Sequence, residues 1–401
     1  MYLYTSESVS AAHPDKCADI IADTIVDRLL QLDPASRVAA EVFMCGRHII
    51  IGGEVKTSAD VGEGFYRLCA LDALSSIGYP ESGFDENRTL HPQTAEIQVL
   101  LSKQSPDISI GVDQESGEIG AGDQGMMIGF ATDETEAFLP AALFYSRKIR
   151  DTLYRFALEN DDKYGIDIKT QVTVDYGTKE RFDTNRPLRI ENIVAAVPHS
   201  ESMGIEEVRR TIEKVIAASL ASDPLFEEKS CRFFIDGTGR YVKHSPLADS
   251  GMSGRKTVAD TYGAYAPTGG GAQSSKDYTK VDRSGLYAAR WIAKHLVASG
   301  IAKKAIVELA YVIGRAAPLN VTVNTLGTSA RSGMDDEQLS RIIAAEFPLT
   351  PGWITEKFGL DRPSPGHFLY ADVAARGQVG YDDYPWEKLD MLDWFRSLPG
   401  G

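Results

Sequence analysis

The sequence predicts an α+β fold of three similar α/β-sandwich-like units, and three observations carry that expectation. The order helix, hairpin, helix, strand occurs three times along 401 residues. In each pass the apolar spacing switches from a helical period to β-rich runs at the corresponding place. A chain of this length also exceeds one ordinary domain. The three passes share pattern only, with no visible identity of residues.

In the first pass Ile20, Ile21, Ile25, Leu29 and Leu32 follow helical spacing over Cys17–Leu32. Pro14 suits a first helical turn, where its missing N–H costs little. Arg37–Met44 and His48–Val55, joined by Cys45-Gly-Arg, form a hairpin; a helix over about Asp60–Ile77 and a strand at Glu96–Leu101 follow. The second pass has a helix at Ala141–Ala157 and a hairpin of Thr170–Tyr176 with Leu188–Val197 around Gly177. Its second helix, Ile205–Leu220, keeps Val208, Ile212, Val215 and Ile216 on one side, and a strand at Arg232–Ile235 closes the unit. The third runs through a helix at Ser284–Ser299, Ala305–Ile313 paired with Val321–Leu326, a helix at Asp335–Phe347 and a strand near His367–Ala371. Each unit is then a sheet with helices on one face. Two glycine-rich loops, Gln104–Gly129 and Gly237–Lys280, interrupt the pattern, and loops of that length inside compact domains tend to be functional.

Composition is that of a soluble globular protein, 43% apolar and 25% charged. A net charge of −15 argues against broad nucleic-acid binding, which needs a basic face. A local group of cations can still hold one anionic ligand, so any phosphate site should be compact. The start lacks a basic stretch followed by an apolar core, and no apolar run approaches the roughly 18–20 residues that span a bilayer. Neither a secretory signal nor a membrane partner is expected. Cys17, Cys45, Cys69 and Cys231 show no metal or redox spacing, so free, mostly buried thiols in a reducing cytoplasm are expected.

Chemistry concentrates in a few places. His13-Pro-Asp-Lys16 lies at a helix start, whose unpaired N–H groups favour phosphate. There Lys16 adds charge, Asp15 suits Mg²⁺, and His13 suits donation to a leaving oxygen; a capped helix start with a surface histidine is the plainer reading. Arg255-Lys256 follows a glycine turn and, taken alone, is more often a solvated pair. The run Gly269-Gly-Gly-Ala-Gln-Ser-Ser-Lys276-Asp-Tyr-Thr-Lys280-Val-Asp282 is more telling. Its glycines let backbone amides approach a ligand, and Asp282 is a hard oxygen donor of the kind Mg²⁺ takes. No P-loop is present. Glu54, Asp123 and Asp249 lie in glycine-rich contexts and suit a ribose diol or an α-amino group, though such residues are more often turn formers. Asp167 and Lys169, entering a strand, are ambiguous alone. These residues point to a Mg²⁺-dependent polyphosphate site and leave the second substrate open.

At these positions the chain resembles the S-adenosylmethionine synthetase family over nearly its whole length. The matching stretches are Thr5-Ser-Glu-Ser-Val-Ser, His13-Pro-Asp-Lys16, Gly52-Gly-Glu54, Lys103-Gln-Ser-Pro-Asp-Ile108 and Gly120-Ala-Gly-Asp-Gln-Gly125. They continue with Thr238-Gly-Arg240, Gly254-Arg-Lys256, Asp260-Thr-Tyr-Gly263, Gly269-Gly-Gly-Ala272, Lys276-Asp, Lys280-Val-Asp-Arg-Ser284 and Pro385-Trp-Glu387. The resemblance implies that methionine sulfur attacks C5′ of ATP and expels triphosphate, which is cut to pyrophosphate and phosphate before release. It implies that His13 assists the departing triphosphate, and that Lys169, Arg255, Lys256, Lys276 and Lys280 line its pocket. Asp167, Asp249 and Ala272 join the ATP site, with adenine between Arg240, Tyr241 and Ile313, and Asp123 on the adenosine. Glu54, Gln104, Asp249 and Lys280 would contact L-methionine. Asp15 and Asp282 would hold Mg²⁺, two ions per site, and Glu41 K⁺.

The resemblance also implies a pseudo-threefold arrangement of interleaved domains, with sheets packing at a dimer interface. Approximate divisions are 1–105, a gating loop and connection at 106–130, 131–240 and 241–401. Family members form homodimers or dimers of dimers with shared sites, so His13, Asp15 and Glu54 would face Lys169, Asp249 and Lys256 of the partner. Departures from the common pattern are Gln273 and Ser275 for Phe and Gly, His244-Ser245 for a glycine pair, Tyr241 for Phe and Ser250 for Cys. None removes an assigned charge. A silent paralogue would be expected to lose one, and an enzyme acting on another thioether is the remaining alternative.

Overall fold

The computed structural model describes residues 1–80, 88–103, 120–330 and 334–398. Its eleven strands among these residues are β1 (Leu3–Val9), β2 (Arg37–Cys45), β3 (His48–Lys56), β4 (Glu96–Lys103), β5 (Gly125–Thr132), β6 (Lys169–Asp175), β7 (Arg189–Ala196), β8 (Arg232–Ile235), β9 (Gly251–Met252), β10 (Lys304–Tyr311) and β11 (Asn320–Asn324). They form three sheets, in the orders β4-β3-β2-β9, β1-β6-β7-β8 and β11-β10-β5. The predicted hairpins β2–β3, β6–β7 and β10–β11 are all antiparallel pairs.

Each hairpin gains an antiparallel strand from a distant stretch of chain: β9 on β2, β1 on β6 and β5 on β10. The first two sheets add a parallel strand after a helix, β4 on β3 and β8 on β7. The third has no counterpart among the described residues. The strand expected near His367–Ala371 is instead the approach to a helix, Tyr370–Arg376, because the Tyr370 and Ala371 amides donate to Asp27 at 2.8 and 2.9 Å and so cap a helix start. The loop expected through Gly129 also ends early, since Gly125–Gly129 lies within β5. At Gly129 a Cβ would sit 2.0 Å from the Ala289 carbonyl carbon, so the glycine lets a helix lie directly on the strand.

Helices cover one side of each sheet: α1 (Pro14–Leu32) and α2 (Glu63–Ile77), α3 (Ala141–Glu159) and α4 (Ile205–Leu220), α5 (Val281–Ala298) and α6 (Asp336–Glu346). The helix starts at Pro14, the first-turn position expected for it, with His13 as N-cap. Helix α5 is buried on nearly every side. It lies against β5 and β10 and meets the C-terminal stretch, where Trp386 stacks on Tyr287 with centroids 3.7 Å apart. All four cysteines are free, and three are buried. No helix of the described residues is long and apolar enough to cross a membrane.

Candidate active site

The first group of side chains forms at the start of α1. Asp15 N–H donates to His13 Nδ1 at 3.1 Å, so Nδ1 carries the lone pair and Nε2 the proton. One Asp15 oxygen accepts from the Met252 amide at 3.0 Å and lies 3.4 Å from Arg255 Nε. The other accepts from Lys256 Nζ at 2.7 Å. Burial opposes charge on Asp15, but Lys256 and the Met252 amide outweigh it and hold the carboxyl below its usual range. His13 is pushed down to about 3, first by burial and then by Lys256 and Lys169. It is therefore a neutral imidazole with an N–H to offer.

These partners lie on one chain, which overturns the expectation that His13 and Asp15 meet Lys169 and Lys256 of a partner. The topology gives the reason. Pairing of β9 with β2 brings residues 251–256 beside α1, and the β1–β6 register sets Val9 opposite Lys169.

A histidine lowered from 6.5 to about 3 contributes stability that is full above pH 6.5 and is lost as pH falls toward 3. NMR titration of the His13 ring should show no protonation down to pH 4.5. Added triphosphate should raise the midpoint by neutralising Lys256 and Lys169. A free-enzyme midpoint near 6.5 would contradict this electrostatic picture.

Beside this group lies a cavity of about 510 Å³ lined by Asp167, Lys169, Arg240, Tyr241 and Asp249, together with Ala196, Asp236, Gly237, Thr238 and Ala248. Tyr241 donates its hydroxyl to the Asp167 carbonyl at 3.1 Å. Asp167 Oδ2 accepts from the Ser245 amide at 2.9 Å, while Oδ1 is buried without a hydrogen-bond partner. Burial raises this carboxyl to about 6. Arg240 pairs with Glu201. The His244-Ser245 departure is absorbed here: Ser245 takes a left-handed φ of 63°, and its hydroxyl holds the Leu90 amide at 3.0 Å. His244 packs on Gly165, where a Cβ would lie 2.6 Å from its Nε2.

A second group gathers around the glycine-rich loop. Lys276 Nζ and Asp282 Oδ2 are 2.7 Å apart, and a side chain at Gly271 would collide with the Asp282 carboxylate. Ala39 is paired with Glu54 on one side and Lys276 on the other, so those two flank β2. The Asp123 loop joins through Gly122 N–H to the Thr279 carbonyl, 3.2 Å, and the Ile313 turn through Gly314 N–H to the Ala121 carbonyl, 2.9 Å. Ala272 lies against Gly254, at the seam between the two groups. Lys276 and Asp282 pair with each other, and the turn carrying Ile313 is tied to this group through Gly314 and Ala121.

The expectation for Lys16 changes, and Lys280 and Glu41 have partners of their own. Lys16 is fully buried with its ammonium 2.6 Å from both oxygens of Asp260, so it adds no charge to a phosphate site. Lys280 is held by Asp277, a buried carboxylate that also accepts from Val38 and Thr279. Glu41 accepts from the hydroxyls of Ser253 and, at 2.9 Å, Ser275. Gln104 and most of the gating segment lie outside the described residues. Sequence reasoning gave no role to Asp260, Asp236 or Ser245, which act through Lys16, the Val197 amide and Asp167, partners far along the chain.

Among the described residues no three His, Cys, Asp or Glu side chains converge as a metal-binding group. Asp15 and Asp282 are single carboxylates, each facing a cation. Such a donor set suits Mg²⁺ completed by phosphate oxygens and water, the usual mode for that ion.

The N-terminal, central and C-terminal domain families of S-adenosylmethionine synthetase match residues 1–106, 118–241 and 244–388. An S-adenosylmethionine synthase of Lacticaseibacillus casei is 41% identical over 98% of this chain and 97% of its own. That of Wolinella succinogenes is 39% identical over 99% and 98%. Among solved structures, an unusual S-adenosylmethionine synthetase from Campylobacter jejuni superimposes with a TM-score of 0.94 at 52% identity, covering 99% of this chain and all of that one.

Proposed function

Because the chain belongs to the S-adenosylmethionine synthetase family and is a methionine adenosyltransferase, making S-adenosylmethionine from methionine and ATP, we propose how its two groups of residues divide that reaction. Methionine sulfur attacks C5′ and expels the intact triphosphate, which is then cut to pyrophosphate and phosphate. A thioether sulfur needs no base, so the protein's task is to orient it and stabilise the departing polyanion. The observation that carries this reading is a neutral, buried His13 beside Lys256 and Lys169, next to a cavity of nucleoside size.

In that cavity the unpartnered Asp167 oxygen accepts from the adenine amine against the Tyr241 ring, with Arg240, Lys169 and Asp249 around it. His13 Nε2–H donates a hydrogen bond to the oxygen leaving C5′ and keeps its proton, so it stabilises the developing charge without transferring a proton. Arg255 and Lys256 meet the phosphates from the first group, and Lys276 with Ala272 from the second, where Asp123 takes the adenosine. Ile313 covers the adenine from that side, and Glu54 with Gln104 holds methionine. Lys280 supports this loop through Asp277. The family is consistent with metal-ion cofactors; Asp15 and Asp282 would hold Mg²⁺ and Glu41 K⁺, which supply charge that offsets the triphosphate. Incubation with ATP, methionine, Mg²⁺ and K⁺ should yield S-adenosylmethionine by mass analysis, and omission of methionine should leave only slow triphosphate cleavage. ATP consumption without the sulfonium product would contradict the assignment.

We place each complete site across a homodimer, as such or paired into a dimer of dimers, with the first group of one protomer facing the second of its partner. Supporting this, Leu100, Met126, Phe234 and Met252, all on strands of the three sheets, are 43–56% exposed, an invitation to association. In random mixtures of His13→Ala and Lys276→Met chains, half the dimers are mixed and each regains one of two sites, so about a quarter of wild-type activity should return. Activity that stays at background would place each site within one chain. The acidic composition and four free thiols accord with a cytoplasmic setting.

A further inference from the structure

The first helix carries acids at Asp15, Asp19, Asp23 and Asp27, a four-residue spacing that sets them along one stripe. All four are buried, an expensive place for a carboxylate without partners. Each is matched to backbone N–H groups of a segment far away in sequence. Asp15 accepts from Met252 at 3.0 Å and Asp19 from Gly254 at 2.7 Å. Asp23 accepts from Ser275 at 2.9 Å and pairs with Arg283 of α5 at 2.6 Å. Asp27 accepts from Tyr370 and Ala371.

We propose that Asp19 and Asp23 are positioning residues of the reaction, using α1 as a rigid rule that fixes the loop of Arg255 and Lys256, which serves one site of the dimer, and the loop of Lys276, which serves the other. The inference rests on assigning those cations to the phosphates. Successive acids stand about 6 Å apart along the axis, four residues at 1.5 Å each, so the Gly254 and Ser275 amides are fixed by a helix rather than by two loops. Both positions would otherwise wander. Gly254 has φ 77°, and Ser275 holds a left-handed φ of 79° that a non-glycine residue adopts only at a cost. The Ser275 amide is tied to Asp23 and its hydroxyl to Glu41, which keeps that conformation in place. Asp27 is the internal comparison: it is likewise buried and accepts from backbone amides, but those of Tyr370 and Ala371, at a helix start that carries none of the assigned cations.

Asp19→Ala should lower kcat/KM for ATP by about tenfold or more, since small misplacements of binding groups are costly. Asp19→Asn, which keeps an acceptor for Gly254, should recover most of that loss. Asp27→Ala should stay within about twofold of wild type when compared at equal folded fraction, as expected of a purely structural acid. An equal loss in Asp27→Ala, or no loss in Asp19→Ala, overturns the proposal. Amide hydrogen exchange decides the case even if Asp19→Ala does not fold. In the wild-type enzyme the Gly254 and Ser275 amides should exchange as slowly as the middle of α1, and Asp19→Asn, which keeps the acceptor, should leave exchange at 254–256 close to wild type. Exchange at free-loop rates in the wild type overturns it. If Lys256→Met and Lys276→Met leave the KM for ATP unchanged, the phosphate assignment fails instead, and exchange still reports whether the amides are held.

Discussion

Lys276→Met should reduce S-adenosylmethionine formation by about 10²–10³-fold, the usual consequence of deleting one group aimed at developing charge, with the fold intact. Methionine keeps the length of the side chain and removes its ammonium. The loop does not depend on that ammonium for its place: Ala40 N–H donates to the Ser275 carbonyl at 3.1 Å, and Ser275 N–H donates to Asp23. The Lys276–Asp282 pair is open to solvent on one side, so its loss should move the melting midpoint little. Steady-state kinetics and calorimetry on one preparation separate the two effects. A folded variant with unimpaired turnover would remove Lys276 from the phosphate site.

The largest expected loss of stability belongs to Arg290→Met. Arg290 is wholly buried and grips both Glu387 oxygens, at 2.8 and 3.0 Å, while donating to the carbonyls of Phe130, Phe138 and Ala137. Removing one partner of such a pair strands the other and costs about 3–5 kcal/mol. Lys294, 3.0 Å from Glu387, softens the loss without replacing the fork. Burial works against charge on Glu387, yet Arg290 and Lys294 keep its carboxyl below the usual 4.5. Its contribution is therefore present above 4.5 and lost as pH falls through the lowered value. In Arg290→Met acid unfolding should begin at a higher pH, alongside a lower denaturant midpoint. Unchanged denaturation curves would show that Glu387 does not anchor α5 to the C-terminal stretch.

The helices and hairpins were legible in the chain because periodicity is local. Alternation in Arg37–Met44 and helical spacing in Ile205–Leu220 require no knowledge of neighbours, and both elements stand where spacing put them. Glycine misled at β5, where Gly129 reads as loop but serves close packing. At Tyr370 and Ala371 two amides needed for a strand were already committed to Asp27. The acids of α1 were visible as a four-residue repeat, yet nothing nearby in sequence names their partners.

By itself the sequence determined the secondary elements, the family and the inventory of cations and carboxylates. Only the tertiary structure decided which of them are free to meet a ligand. Lys16 and Lys256 look equivalent as residues, but one is consumed by Asp260, 244 positions away, and the other reaches Asp15 across 241 positions. Such pairings arise from strand exchange among the three sheets. The energy of an ion pair depends on distance and desolvation after closure, quantities that residue spacing along the chain does not contain.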